Sequence, residues 1–158
     1  MKRIINKVAV LGSGIMGSRI ACHFANKGVQ VLLLDIVPFE LNEEEQKKGL
    51  TKESPFVRNR IVTTALQNTL KANPSSIYDK AFASRITTGN FDDDLPKIKD
   101  YDWVIEVVVE RLDIKQQLFE KVEKYRKPGT LITSNTSGIP MHLMSEGRSE
   151  DFQTHFAG

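Results

Sequence analysis

Residues 10–20 read VLGSGIMGSRI, with Gly12, Gly14 and Gly17 in a G-x-G-x-x-G spacing. An apolar, β-branched run, KVAVLG (7–12), leads into them, and a helical pattern, IMGSRIACHFANKG (15–28), leaves them. A strand that passes through three glycines straight into a helix has few ways to fold. The next apolar run, VQVLLLD (29–35), ends on Asp35, about where a dinucleotide fingerprint places its acidic residue. Each part has a job. Gly12 permits the tight turn, Gly14 lets a pyrophosphate approach the backbone, and Gly17 lets the helix lie close to the strand. The helix N-terminus offers N–H groups and partial positive charge to phosphates. Ser13, Ile15 and Met16 complete the loop and count with it as cofactor-binding residues. Asp35 is expected to accept from the adenosine ribose hydroxyls. Its charge would repel a 2′-phosphate, and DIVPFE supplies no Arg or Lys to offset that, so NAD is expected rather than NADP.

The remaining pattern alternates. Residues 54–74 carry apolar positions at 57, 61, 62, 65, 66 and 70, a helical stripe opened by Ser54-Pro55 and closed by Pro74. Together with the charged PFELNEEEQKKGL, this makes residues 38–83 a helical insert after the second strand. Strands are expected at 85–89, 102–110 and 129–135, a helix at 112–125, a short helix near 140–146, and a last strand beginning in QTHFAG. In the first helix, Ile15, Met16, Ile20, Phe24 and Ala25 are expected to share the packed face. In the helix at 112–125, Ile114, Leu118, Val122 and Tyr125 are. The fold class that follows is α/β, a Rossmann-type doubly wound parallel sheet.

Ligands in such sheets lie outside the carboxyl ends of the strands. Glu110, Lys115 and SNTSG (134–138) fall there. The residues alone leave two readings open for each. Lys115 is either a site residue or a solvated first-turn lysine, Glu110 likewise, and NTSG either a site or a helix-capping turn.

Three segments together, VLGSGIMGSRIA, VIEVVVERLDIKQQLFEKV and ITSNTSGIP, resemble the NAD-binding domain of the L-3-hydroxyacyl-CoA dehydrogenases of fatty-acid β-oxidation. The resemblance covers most of 5–37 and 84–158. It implies that Glu110, Lys115 and Asn135 contact NAD, and that Ser137 touches both nicotinamide and substrate and helps hold the reacting hydroxyl. The family's second serine in this motif is Gly138 here. The insert is similar to the family's helical arm over CoA, which makes Arg58, Arg60 and Lys71 candidates for phosphate contact against the plainer reading of a solvated face. Phe156-Ala157-Gly158 is similar to the start of the family's F-x-G-x-H-F-F-N-P motif, which places the catalytic histidine two residues past Gly158. His155 is then the wrong histidine, and neither His23 nor His142 is an obvious substitute. The resemblance thus implies the cofactor domain of an acyl-CoA-oxidising enzyme, inactive alone, whose helical C-terminal half forms a homodimer. Two alternatives stay open: another NAD-dependent β-hydroxyacid dehydrogenase domain, and a non-catalytic NAD-binding regulatory module.

Composition excludes other classes. A net charge of +2 over 158 residues argues for neither nucleic acid nor a membrane surface. A single cysteine, Cys22, rules out an internal disulfide and a cysteine-based zinc site, and no metal is expected. No apolar run approaches a membrane span. The expected compartment is the cytoplasm.

Overall fold

The computed structural model describes residues 2–158. Six strands form one all-parallel sheet in the order β3-β2-β1-β4-β5-β6. They are β1 (Lys7–Leu11), β2 (Gln30–Asp35), β3 (Ile86–Asn90), β4 (Trp103–Glu106), β5 (Leu131–Ser134) and β6 (Phe156–Ala157). The chain winds outward from β1 to β3, then crosses back and adds β4 on the other side of β1. The strand order therefore reverses between β1 and β4, and a crevice opens at their carboxyl ends.

The helices are α1 (Ile15–Asn26), α2 (Glu43–Lys47), α3 (Pro55–Arg58), α4 (Arg60–Lys71), α5 (Phe91–Asp94), α6 (Leu112–Tyr125), α7 (Met141–Met144) and α8 (Glu150–Thr154). Strand residues alternate between two cores. Val8, Val10, Val31 and Leu33 pack under α1 and α4 with Ala21, Cys22, Val62 and Leu66. Ala9, Leu11, Leu32 and Leu34 pack on the opposite face with Leu118, Phe119, Val122 and Phe152. Both faces of the inner strands are covered, which is why β2 is apolar at every position from Val31 to Leu34.

Several expectations need correcting. Ile15 and Met16 are not on the packed face of α1: they are 72% and 51% exposed, whereas Ala25 is buried and Ile20 and Phe24 pack against the core as expected, and Ser18, Ala21 and Cys22 are buried with them. Small residues there let α1 lie close, so the larger apolar residues at its start are left in the crevice mouth. In α6 Leu118 and Val122 are buried and Tyr125 packs against the same core as expected, but Lys115 and Phe119 join that face where Ile114 was expected. The helix expected over 54–74 breaks at Asn59 (φ −102°, ψ 10°), whose side-chain oxygen accepts from Asn90 Nδ2 at 2.9 Å. The strand expected over 102–110 stops at Glu106. There the Glu106 side chain accepts from the Val108 N–H at 2.8 Å and turns the chain out of the sheet.

Within the insert, α2 opens with a full capping box, Asn42 with Glu45. Arg60 pairs with the buried Glu45 and donates to the Glu40 carbonyl at 3.1 Å. Arg58 makes a two-pronged bond to Asp93, at 2.7 and 2.9 Å. Both arginines brace the crossover between β2 and β3. Lys71 stands exposed in the last turn of α4.

Candidate functional site

The glycine loop is fixed by contacts that exclude other residues. Gly12 has φ +114°, and a Cβ on it would stand 2.4 Å from the Val107 carbonyl oxygen. A Cβ on Gly17 would stand 1.8 Å from the Gly12 oxygen. These two glycines are needed for the fold itself. Gly14 differs: a Cβ there meets nothing within 4 Å, so its missing side chain leaves space that no protein atom uses.

The start of α1 matches this. Its first intrahelical bond runs from Ser18 N–H to the Gly14 carbonyl at 2.9 Å. It has no side-chain cap and no acidic residue in the first turn. The orphan N–H groups of a helix start normally find such a partner, and α2 shows one in this same chain. Gly14, Ile15 and Met16 are all exposed. Open space above Gly14 and an uncapped, positively polarised helix end suit a pyrophosphate.

Asp35, at the end of β2, lies on one side of this loop. Its Oδ2 accepts from Ser13 N–H at 2.8 Å and from the Ser13 hydroxyl, and its Oδ1 accepts from Ile36 N–H at 2.7 Å. A carboxylate offers about four acceptor sites, so roughly one remains for a ribose hydroxyl. Asp35 therefore serves twice, bracing the loop through the buried Ser13 and facing the crevice.

On the other side of β1 the sequence missed the centre of the site. Glu106, the last residue of β4, and Lys115, in α6, are both 0% exposed. Lys115 Nζ lies 2.9 and 3.0 Å from the two Glu106 oxygens and 3.3 Å from Glu110 Oε2. This excludes a solvated first-turn lysine. It also points the ammonium's three N–H groups at carboxylates. Ser134 donates to Glu106 Oε2, and Asn135 N–H donates to the Glu106 carbonyl at 2.9 Å. Glu110 accepts from the Thr136 hydroxyl and from Gly138 N–H at 3.3 Å. Lys115 thus joins two carboxylates, and each grips one end of the loop that carries Ser137. Asn135 and Ser137 are exposed on that loop, at the carboxyl end of β5. The signal for Glu106 was present in VIEVVV: a charge inside a buried apolar run needs a buried partner.

The Thr136 hydroxyl bond, seconded by Lys115 and Gly138 N–H, holds the Glu110 carboxyl down at about 2. Its contribution is complete above the ordinary range near 4.5 and fades as pH falls toward 2. A carboxyl ¹³C titration should place the Glu110 midpoint near pH 2, and a midpoint near 4.5 would show the loop unclamped.

His155 stands elsewhere. In the parallel register Ile132 pairs with Phe156 and Thr133 with Ala157. His155 is therefore level with Leu131, and Gly158 with Ser134. The histidine is at the amino end of β6, about 10 Å along the strand from the level of Ser134. Its Nδ1 lies 2.7 Å from the Asp151 carbonyl oxygen. His23 and His142 are both exposed, on α1 and α7. Among the described residues no group of histidines, cysteines and acids is placed to hold a metal.

Residues 7–158 match the model of the 3-hydroxyacyl-CoA dehydrogenase NAD-binding domain. The chain belongs to this family. A probable 3-hydroxyacyl-CoA dehydrogenase of Bacillus subtilis is 52% identical over all 158 residues, which make up 20% of that protein. One from Deinococcus radiodurans is 47% identical over 98% of the chain and 40% of its own length. The chain thus spans well under half of these relatives. Among solved structures, the 3-hydroxybutyryl-CoA dehydrogenase of Escherichia coli K12 matches with a TM-score of 0.62 and 29% identity, over 94% of this chain and 28% of that one. FadB2 of Mycobacterium tuberculosis matches with a TM-score of 0.64 and 25% identity, over 96% and 47%. The cofactor of this domain is NAD, and the geometry of Gly14, α1 and Asp35 fits it.

Proposed function

We propose that this NAD-binding domain is the cofactor half of an enzyme oxidising (S)-3-hydroxyacyl-CoA to 3-oxoacyl-CoA in fatty-acid β-oxidation. The observation that carries the reading is the pairing of two loops across β4 and β5: the Glu110–Lys115 segment and the Asn135–Ser137 segment are tied to each other beside the glycine loop. When bound, NAD supplies the hydride acceptor. The chain's own residues do the rest. The α1 N-terminus and Gly14 seat the pyrophosphate, and Asp35 selects the ribose with free hydroxyls. Asn135 and Ser137 present polar groups at the nicotinamide end, where Ser137 helps hold the substrate hydroxyl. Glu110 contacts the cofactor, and Lys115 acts on it through Glu110 and Glu106.

Removal of the hydroxyl proton calls for a base poised near neutral pH, worth about 10²–10⁴-fold in rate. His155 stands at the amino end of β6 and His23 in the last turn of α1, while His142 is exposed on α7, past the Asn135–Ser137 loop, and is read as a surface residue rather than the base. The 158 residues should accordingly bind NAD without turnover, the base and the dimer contact coming from a catalytic half. The single buried thiol suits a reducing compartment such as the cytoplasm. Among the described residues no helix is long and apolar enough to cross a membrane.

Two measurements test the reading. Full-length protein containing this domain should turn over (S)-3-hydroxybutyryl-CoA with NAD⁺ and leave free 3-hydroxybutyrate untouched; preference for the free acid would overturn the substrate assignment. Asp35→Asn should weaken NADH binding about tenfold, a loss of roughly 1.4 kcal/mol, and narrow the gap between NADH and NADPH. An unchanged gap would remove Asp35 from cofactor selection.

A further inference from the structure

The charge cluster at the end of β4, buried at Glu106 and Lys115 and exposed at Glu110, is unbalanced. Glu106 and Glu110 are two carboxylates, and among the described residues Lys115 is the one ammonium bonded to them. The next charges along the chain, Arg111 and Asp113, pair with each other at 2.7 Å and cancel. Glu106 takes an acceptor-only role that the ionised carboxylate fills: it receives Lys115 on both oxygens, Val108 N–H on one and the Ser134 hydroxyl on the other. One net negative charge therefore sits at the carboxyl edge of β4, shielded from water on the Glu106 side.

Its position relative to the cofactor follows from the topology. A dinucleotide lies across the crevice where the strand order reverses, with its pyrophosphate at the glycine loop. Asp35, on the β2 side of β1, takes the adenosine ribose, so the nicotinamide must extend to the β4–β5 side. That is where Glu106, Glu110 and Lys115 stand. The nicotinamide ring carries a positive charge in NAD⁺ and none in NADH. The adenosine and pyrophosphate portions are the same in both.

We infer that Glu106 is a positioning residue that sets the charge at the nicotinamide end, and that the unbalanced cluster biases the domain toward NAD⁺ relative to NADH. The buried carboxylate does this without touching the cofactor. It anchors Lys115, and it contributes the charge that Lys115 does not fully cancel. This deepens the cofactor reading above and rests on it. The partial positive charge at the start of α6 opposes the bias, but it is a backbone property that side-chain substitution leaves in place.

The test is the ratio of dissociation constants, Kd(NADH)/Kd(NAD⁺), measured by titration calorimetry on the 158-residue chain. Glu106→Gln keeps the shape and removes the charge. The ratio should fall about three- to tenfold, the scale of one charge acting through partly screened protein; tenfold corresponds to about 30 mV in the bound couple. Glu110→Gln makes the same change in net charge at a more exposed position. It should lower the ratio in the same direction, even if Glu106→Gln fails to fold. Asp35→Asn, at the adenosine end, should weaken both forms equally. If both glutamine variants weaken NAD⁺ and NADH by equal factors, the cluster is only a brace and the proposal is overturned, while NAD binding stands. If the unaltered chain binds neither form, the cofactor reading itself fails.

Discussion

Gly14→Ala should leave the fold standing and remove most NADH binding, whereas Gly17→Ala should do the reverse damage and unfold the domain. The two glycines are three residues apart in one motif, yet their surroundings differ. A methyl on Gly14 meets no protein atom within 4 Å, and its backbone (φ −55°) suits alanine. The stability change should be about 1 kcal/mol or less, the scale of a change at a helix N-cap. The same methyl would occupy the space the pyrophosphate needs, so affinity should fall at least tenfold, about 1.4 kcal/mol. A methyl on Gly17 would lie 1.8 Å from the Gly12 carbonyl oxygen, where backbone cannot give way without moving α1 off the sheet. The expected loss is about 3 kcal/mol or more. Urea denaturation and NADH titration on both variants check this. A destabilised Gly14→Ala chain, or a stable Gly17→Ala chain, would contradict the account of the loop.

Lys115→Met should cost about 3–5 kcal/mol, because it leaves Glu106 buried without its cation. The lysine and Glu106 are both fully buried, so solvent cannot replace the lost partner. Glu106→Leu combined with Lys115→Met removes both charges and should recover a large part of the loss, since matched apolar pairs replace buried ion pairs at little cost. Breaking the exposed Arg111–Asp113 pair with Asp113→Asn should change stability by less than about 1 kcal/mol. Denaturant midpoints of these variants would measure the difference. Equal effects at Lys115 and Asp113 would mean the buried pair is not what it appears in the geometry.

Much of the architecture was legible because its elements carry strong local patterns. β1 and β2 are unbroken apolar runs, α4 has a clear stripe, and Gly28, at φ +82°, ends α1 as a C′ glycine should. The glycine loop and Asp35 announced the cofactor. What the sequence concealed came from tertiary placement. Ile15 and Met16 look like core residues by hydrophobicity, but they begin a helix whose approach to the sheet is set by the smaller Ser18, Ala21 and Cys22. VIEVVVE reads as one strand to Glu110, but a side-chain bond from Glu106 to the Val108 N–H ends it four residues early. The residues alone left Lys115 open between a site residue and a solvated lysine, the resemblance implied contact with NAD, and neither foretold its complete burial. Its burial depends on two carboxylates nine and five residues before it, which no helical or strand period connects. Arg58 and Arg60 were phosphate candidates through the likeness of the insert to the family's arm, and their pairing with Asp93 and Glu45 was not legible in the sequence because those partners lie 35 and 15 residues away.

The central claim is that these 158 residues form a working NAD site. Titration of NADH, followed by its fluorescence, into the unaltered chain and into Gly14→Ala tests it most directly. The account predicts saturable one-to-one binding by the unaltered chain, loss of at least tenfold in affinity for Gly14→Ala, and melting of the two proteins without cofactor within about 4 °C of each other. Absence of saturable binding by the folded, unaltered chain would contradict it.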